Sequence, residues 1–121
     1  MHVHAIHHAS LLVADTERSL FFYRDLLGLA VIDRPDLGFP GVWLAIGDRQ
    51  LHLLELPNPE ADVTRPEHVG RDRHLALSVS GLEELEQCLL QAGVPVTHSR
   101  SGRKAIFCRD PDGNGIELID V

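Results

Sequence analysis

The strongest constraint on this chain is an internal repeat. His74 stands 66 residues after His8, Gly93 stands 65 after Gly28, and Glu117 stands 65 after His52. The strings around these positions agree, HASLLVADTERSL with HLALSVSGLEELE and QLHLLEL with GIELIDV. An offset that barely drifts over the whole chain implies two copies of one supersecondary unit.

The unit can be read from its first copy. In residues 6–13, Ile6, His8, Ser10 and Leu12 fall on one side, and His7, Ala9, Leu11 and Val13 on the other. That period of two predicts a strand. A helix follows, capped by Asp15 or Thr16, with Ser19, Phe22, Tyr23 and Leu26 on one stripe and Gly28 at its end. LAVIDR, VWLAIG and QLHLLEL read as strands, the last two joined by a tight turn at DR. The stretch PNPEADVTRPEHVGRD is polar, with three prolines and a glycine, and reads as a linker. The order then restarts: HLALSV as strand, SGLEELEQCLLQAG as helix, then VPVTH, KAIFCR and GIELIDV as strands. Each half is β-α-β-β-β. The expected fold is α+β, with tandem βαβββ modules at residues 1–57 and 73–121 joined by a linker over 58–72. The modules should form curled mixed sheets around a cavity, with the helices on the outer face.

Composition narrows the function classes. With 121 residues the chain suits one compact domain or two small fused modules. Hydrophobic residues make up 44% but aromatics only 5%, so Leu, Val, Ile and Ala must fill the core. The net charge of −7, with no basic face, argues against nucleic acid as a partner. No run of 18 apolar residues suggests a membrane span, and no apolar leader suggests export, so a cytoplasmic protein is expected. Cys88 and Cys108 lack CxxC spacing and read as free thiols, with Cys88 near the buried helix stripe.

The repeat selects His8, His52, His74 and Glu117. In the two first strands, the sides bearing Ala9, Leu11, Val13 and Leu75, Leu77, Val79 should pack under the helices, leaving His8 and His74 opposite. His52 and Glu117 lie in the two last strands. If the sheets curl round a shared cavity, four ligand-type side chains converge there. A lone strand histidine is ordinarily a hydrogen-bonded rim residue, but four positions related by a repeat reverse that reading. Three imidazoles and a carboxylate suit Zn, Fe(II), Ni, Co or Mn rather than Ca or Mg. Open coordination positions would accept a small substrate with adjacent oxygens.

The pieces HHASLLVADTERSLFFYRDLLGL, RHLALSV and DPDGNGIEL together resemble the glyoxalase/bleomycin resistance/dioxygenase group, the vicinal-oxygen-chelate superfamily. The resemblance covers essentially the whole chain. It implies paired βαβββ modules, a homodimer, and a metal site at His8, His52, His74 and Glu117 that can be shared between chains. It also implies a metal-dependent enzyme acting on a small oxygen-rich molecule, first of all a glyoxalase-like lyase or isomerase. Glyoxalase-type members commonly carry Glu or Gln where His52 stands, so the catalytic base would be Glu117. An extradiol-type dioxygenase would use His8, His74 and Glu117 as a two-histidine, one-carboxylate triad. A fosfomycin-type thiol transferase would use the same three ligands. Arg100 and Ser101 then match a phosphonate-binding stretch, with Phe107 at the place of a Tyr. A drug-sequestering protein would lack the ligands. Ser10, on the face of His8, and Trp43 are candidates to line the pocket, and Arg100, Arg103 and Lys104 to hold an anionic group.

Other motifs read as decoys. DPDGNG imitates a calcium loop, but Val121 stands where the closing Glu is needed, so a tight turn is expected. Alternation puts Glu55 on the face opposite His52. His68 and His98 have no repeat partners, and a solvated role is expected for His98.

Overall fold

The alternation of the first half becomes a four-stranded sheet. Its strands are β1 (His8–Val13), β2 (Ala30–Ile32), β3 (Gly41–Ile46) and β4 (Arg49–Glu55), in the order β1-β4-β3-β2. The second half repeats it with β5 (His74–Val79), β6 (Thr97–His98), β7 (Ala105–Arg109) and β8 (Gly115–Asp120), in the order β5-β8-β7-β6. In both sheets the first and last strands pair in parallel and the rest antiparallel. This computed structural model describes residues 1–121 and divides into two units, Met1–Pro59 and Glu60–Val121. The βαβββ reading holds for each.

In the first unit Leu51 and Leu53 of β4 sit between same-face neighbours, Ala9 and Leu11 of β1 on one side and Leu44 and Val42 of β3 on the other. In the second, Ile116 and Leu118 of β8 sit between Leu75 and Leu77 of β5 and Cys108 and Ile106 of β7. All four central side chains are buried. They are related by the 65-residue offset, so the repeat extends to the cores. Burial of each Leu or Ile stabilises by about 1.5–3 kcal/mol.

The first helix departs from the expected single α-helix. Helix α1 runs only over Thr16–Leu20, and a wider π-helical segment follows over Phe21–Leu26. Asp15 caps α1 by accepting from the Arg18 N–H at 3.0 Å. Gly28, at φ +79°, ends the segment, and the Leu29 N–H donates to the Tyr23 carbonyl. The wide turns bring Ser19, Leu20, Phe22 and Tyr23 into the core, while Leu26 is only partly buried. Helix α2 (Leu82–Gln91) buries Leu82 and Leu89. Cys88, one residue before Leu89 and so about 100° round the helix, is exposed rather than near the buried stripe. Cys108 lies in β7, where burial pushes its thiol up to about 12.

Three boundaries also move. The tight turn falls on Gly47 and Asp48, so β4 begins at Arg49 and β1 begins at His8, leaving Ile6 and His7 outside the ladder. Strand β6 keeps two residues, because Pro95 has no N–H to donate to a ladder. The stretch between modules carries one short 3₁₀ turn, Val69–Arg71. No helix is long and apolar enough to cross a membrane.

Leu51→Ala and Leu118→Ala should each lower the unfolding free energy by about 2–5 kcal/mol in urea denaturation. Phe21→Ala, at a side chain 52% exposed, should change it by less than about 0.5 kcal/mol.

Candidate metal centre

The two parallel pairings build an equivalent pair of candidate ligands in each unit. His8 opens β1 opposite Gln50, and His74 opens β5 opposite Gly115. In each case the second candidate ligand, His52 or Glu117, stands two residues further along the last strand. Partners at equal register in a sheet face the same side, so alternation puts His8 with His52 and His74 with Glu117.

In the first unit these side chains form a stack. The Trp43 ring lies 4.1 Å from that of His52 at 5°, and the His8 ring covers the opposite face at 4.1 Å and 17°. His52 is left 8% exposed. Its Nε2 donates to Gln50 Oε1 at 2.8 Å, which leaves the lone pair on Nδ1. Burial first, then the charges of His8, His7 and Arg34, hold the His52 pKa below its ordinary value. The neutral imidazole is the metal-binding form. Parallel rings cannot both aim an in-plane lone pair at one ion, so joint ligation requires one ring to turn. Ser10 lies on the same face, opposite His52. His7 Nδ1 and His8 Nδ1 are 2.9 Å apart.

The second unit builds a tighter pair. His74 Nδ1 donates to the Asp72 carbonyl at 2.8 Å, turning Nε2 toward Glu117 Oε1 at 3.1 Å. Asp72 is itself clamped, its carboxylate accepting from Arg65 and Arg109 at 2.9 Å each. Burial alone would raise its pKa, but the two guanidinium groups outweigh that and hold it below the usual range. Phe107 stands opposite Glu117 in β7 and meets His74 edge-on at 5.7 Å. His68 meets the same Phe107 ring at 5.2 Å and accepts from the Gly70 N–H.

Glu117 is 2% exposed, and its Oε2 has no hydrogen-bond partner. The Arg103 guanidinium lies 3.5 Å from that oxygen, an ion-pair separation without hydrogen-bond geometry. With Nδ1 committed to a carbonyl, the neutral His74 presents a lone pair to a carboxylate. Two acceptors facing each other at 3.1 Å call for a proton or a cation. At that separation both atoms could reach one divalent ion. A carbonyl behind the ligating imidazole is the usual outer-shell arrangement of a metal-bound histidine. The chemistry of the His74–Glu117 pair therefore fits a divalent metal, although no group of three or more His, Cys, Asp or Glu side chains that could hold one is gathered in the structure.

Of the other candidates, Trp43, Phe107 and Arg103 stand at these pairs. Arg100 and Ser101 do not. Arg100 is exposed, and Ser101 Oγ bonds to Ser99 Oγ at 2.8 Å and accepts from Arg103 within its own loop. Glu55 faces away as expected, its Oε1 accepting from the Thr16 N–H at 2.8 Å to cap α1. Asp110 accepts from the Asp112 and Asn114 N–H groups, making DPDGN a turn. His98 pairs with Glu86 at the surface. Sequence reading missed Gln50 and Asp72. Gln50 was detectable by alternation, two residues before His52, whereas Asp72 acts on His74 through its carbonyl and leaves no residue-type signal.

The His52 imidazole should titrate below the ordinary 6.5 in an NMR pH series. Because its folded pKa is depressed, its contribution to stability is present above the unfolded pKa and lost as pH falls through the folded one. His8→Ala should move the midpoint back up, because it uncovers one face of His52 and removes a neighbouring charge. A midpoint at or above 6.5 in the native chain would contradict this.

Comparison with known proteins places the chain in a family. The profile of the Glyoxalase/Bleomycin resistance protein/Dioxygenase superfamily matches residues 5–118. The uncharacterized protein YwkD of Bacillus subtilis is 34% identical, over 96% of this chain and 96% of its own. A lactoylglutathione lyase of Haemophilus influenzae is 28% identical, over 93% and 90%. Among solved structures, a putative glyoxalase family protein from Bacillus anthracis superposes with a TM-score of 0.79 at 23% identity, covering 99% of this chain and 97% of that one. The chain belongs to the glyoxalase/bleomycin resistance protein/dioxygenase superfamily.

Proposed function

We propose that His8, His52, His74 and Glu117 together hold one divalent metal ion, and that the protein is a glyoxalase-like lyase or isomerase acting on a small oxygen-rich substrate as a homodimer. The observation that carries this reading is Glu117, a buried carboxylate paired with His74 through Oε1 and without a hydrogen bond at Oε2. Burying a carboxylate without full pairing is costly, which favours a function for it over a structural role. The equivalent placing of His8 and His52 supports adding them to the same site. The kinship with a lactoylglutathione lyase supports the choice of reaction.

The metal, when bound, polarises two adjacent substrate oxygens as a Lewis acid. The protein's own groups do the rest. Glu117 is the base: Oε1, beside His74 Nε2, would share the metal with it, and Oε2 accepts the proton from the substrate carbon and returns it to the neighbouring position. The Asp72 carbonyl keeps His74 in the tautomer that leaves Nε2 free for a ligand. Trp43 and Phe107 supply apolar walls that exclude water from the reacting carbon. Ser10 and Arg103 would supply polar and cationic contacts for the rest of the substrate.

A dioxygenase is the second reading, favoured by one observation. His52 is stacked between two rings and hydrogen-bonded to Gln50, which favours a three-ligand set of His8, His74 and Glu117. Hemithioacetal turnover without oxygen uptake supports the lyase, and oxygen consumption with catechols supports the alternative. Glu117→Gln should lower turnover about 10²–10⁴-fold. Metal analysis of His8→Ala, His74→Ala and Glu117→Ala should show loss of metal, and stoichiometric metal retained in all three would sink the site.

A further inference from the structure

The protein's two best-placed arginines are held differently. Arg109 bonds to the Asp72 carboxylate and to the Gly113 and Pro66 carbonyls. Arg103 has a side chain 58% exposed and donates through Nε to Ser101 Oγ of its own loop at 3.2 Å. Its Nη2 hangs 3.5 Å from Glu117 Oε2 without forming a hydrogen bond. The guanidinium therefore balances the buried charge without being locked to it.

We propose that Arg103 is the resident counter-cation of Glu117, giving up that position when a divalent metal is bound and so setting the protein's metal affinity. This rests on the metal-site reading above. A guanidinium stays charged at any working pH, so repulsion from a divalent ion at the same carboxylate is relieved only by moving away. The surroundings permit that movement. Gly102, at φ +88°, adjoins Arg103 in an exposed loop. Arg103 also borders a cleft of about 540 Å³ between α2 and the start of β7, where Glu83, facing Lys104, and Glu86, paired with His98, add negative charge. Arg103 is thus a positioning residue for the charge of the site, competing with the metal for one oxygen.

Calorimetric titration of metal-free protein with Zn(II) tests this. Arg103→Gln should bind Zn(II) roughly two- to fivefold more tightly than the native chain, the size expected of a partly exposed charge pair. The gain should vanish in a Glu117→Gln background, a dependence that a merely structural loop role would not produce. Arg103→Lys, which keeps the charge, should stay close to native affinity. Equal or weaker binding by Arg103→Gln, or equal tightening by Arg103→Lys, overturns the inference and leaves the metal site standing. A native chain that binds no Zn(II) overturns both.

Discussion

Each sheet turns on the parallel pairing of its first and last strands. Parallel strands need a long crossover, here the helix and the two intervening strands, so the pairing closes each module on itself. It also gives one strand two tasks. Along Leu51-His52-Leu53 and Ile116-Glu117-Leu118, the flanking residues enter the core and the middle one takes the opposite face. A one-residue slip would exchange ligand and core. Core and candidate site are therefore specified by the same alternation and cannot vary independently.

The two units handle their polar candidate groups differently. His52 is held by faces, Trp43 on one side and His8 on the other, with Gln50 at its edge. Burial there, with the charges of His8, His7 and Arg34, holds the His52 pKa below its ordinary value. Glu117 is held by charge, with His74 at one oxygen and Arg103 near the other. A buried carboxylate whose second oxygen lacks a hydrogen bond is poorly explained as structure, since a fully paired group would be cheaper. It is well explained as a ligand and base.

Much of this could be read from the residues. The 65-residue offset follows from the repeated strings, and the two faces of each first strand and the exclusion of Glu55 follow from period two, which depends only on backbone geometry. What could not be read depends on side-chain orientation or backbone atoms. Nothing in FFYRDL distinguishes a π-helical segment from an α-helical one, because its apolar spacing serves either. The start of β1 was misjudged because its true limit is the start of its parallel partner β4, not its own alternation. The stacking of His8 on His52 and the grip of the Asp72 carbonyl on His74 leave no pattern in residue type. Ser101 was an attractive anion contact by position, yet its hydroxyl is used within its own loop.

The central claim is that His8, His52, His74 and Glu117 bind one ion together. X-ray absorption at the metal edge of Zn(II)-loaded protein measures this most directly. The account predicts one zinc per chain with three imidazoles in its first shell, falling to two in His52→Ala. A shell without imidazole, or one unchanged in His8→Ala, His52→Ala and His74→Ala alike, would contradict it.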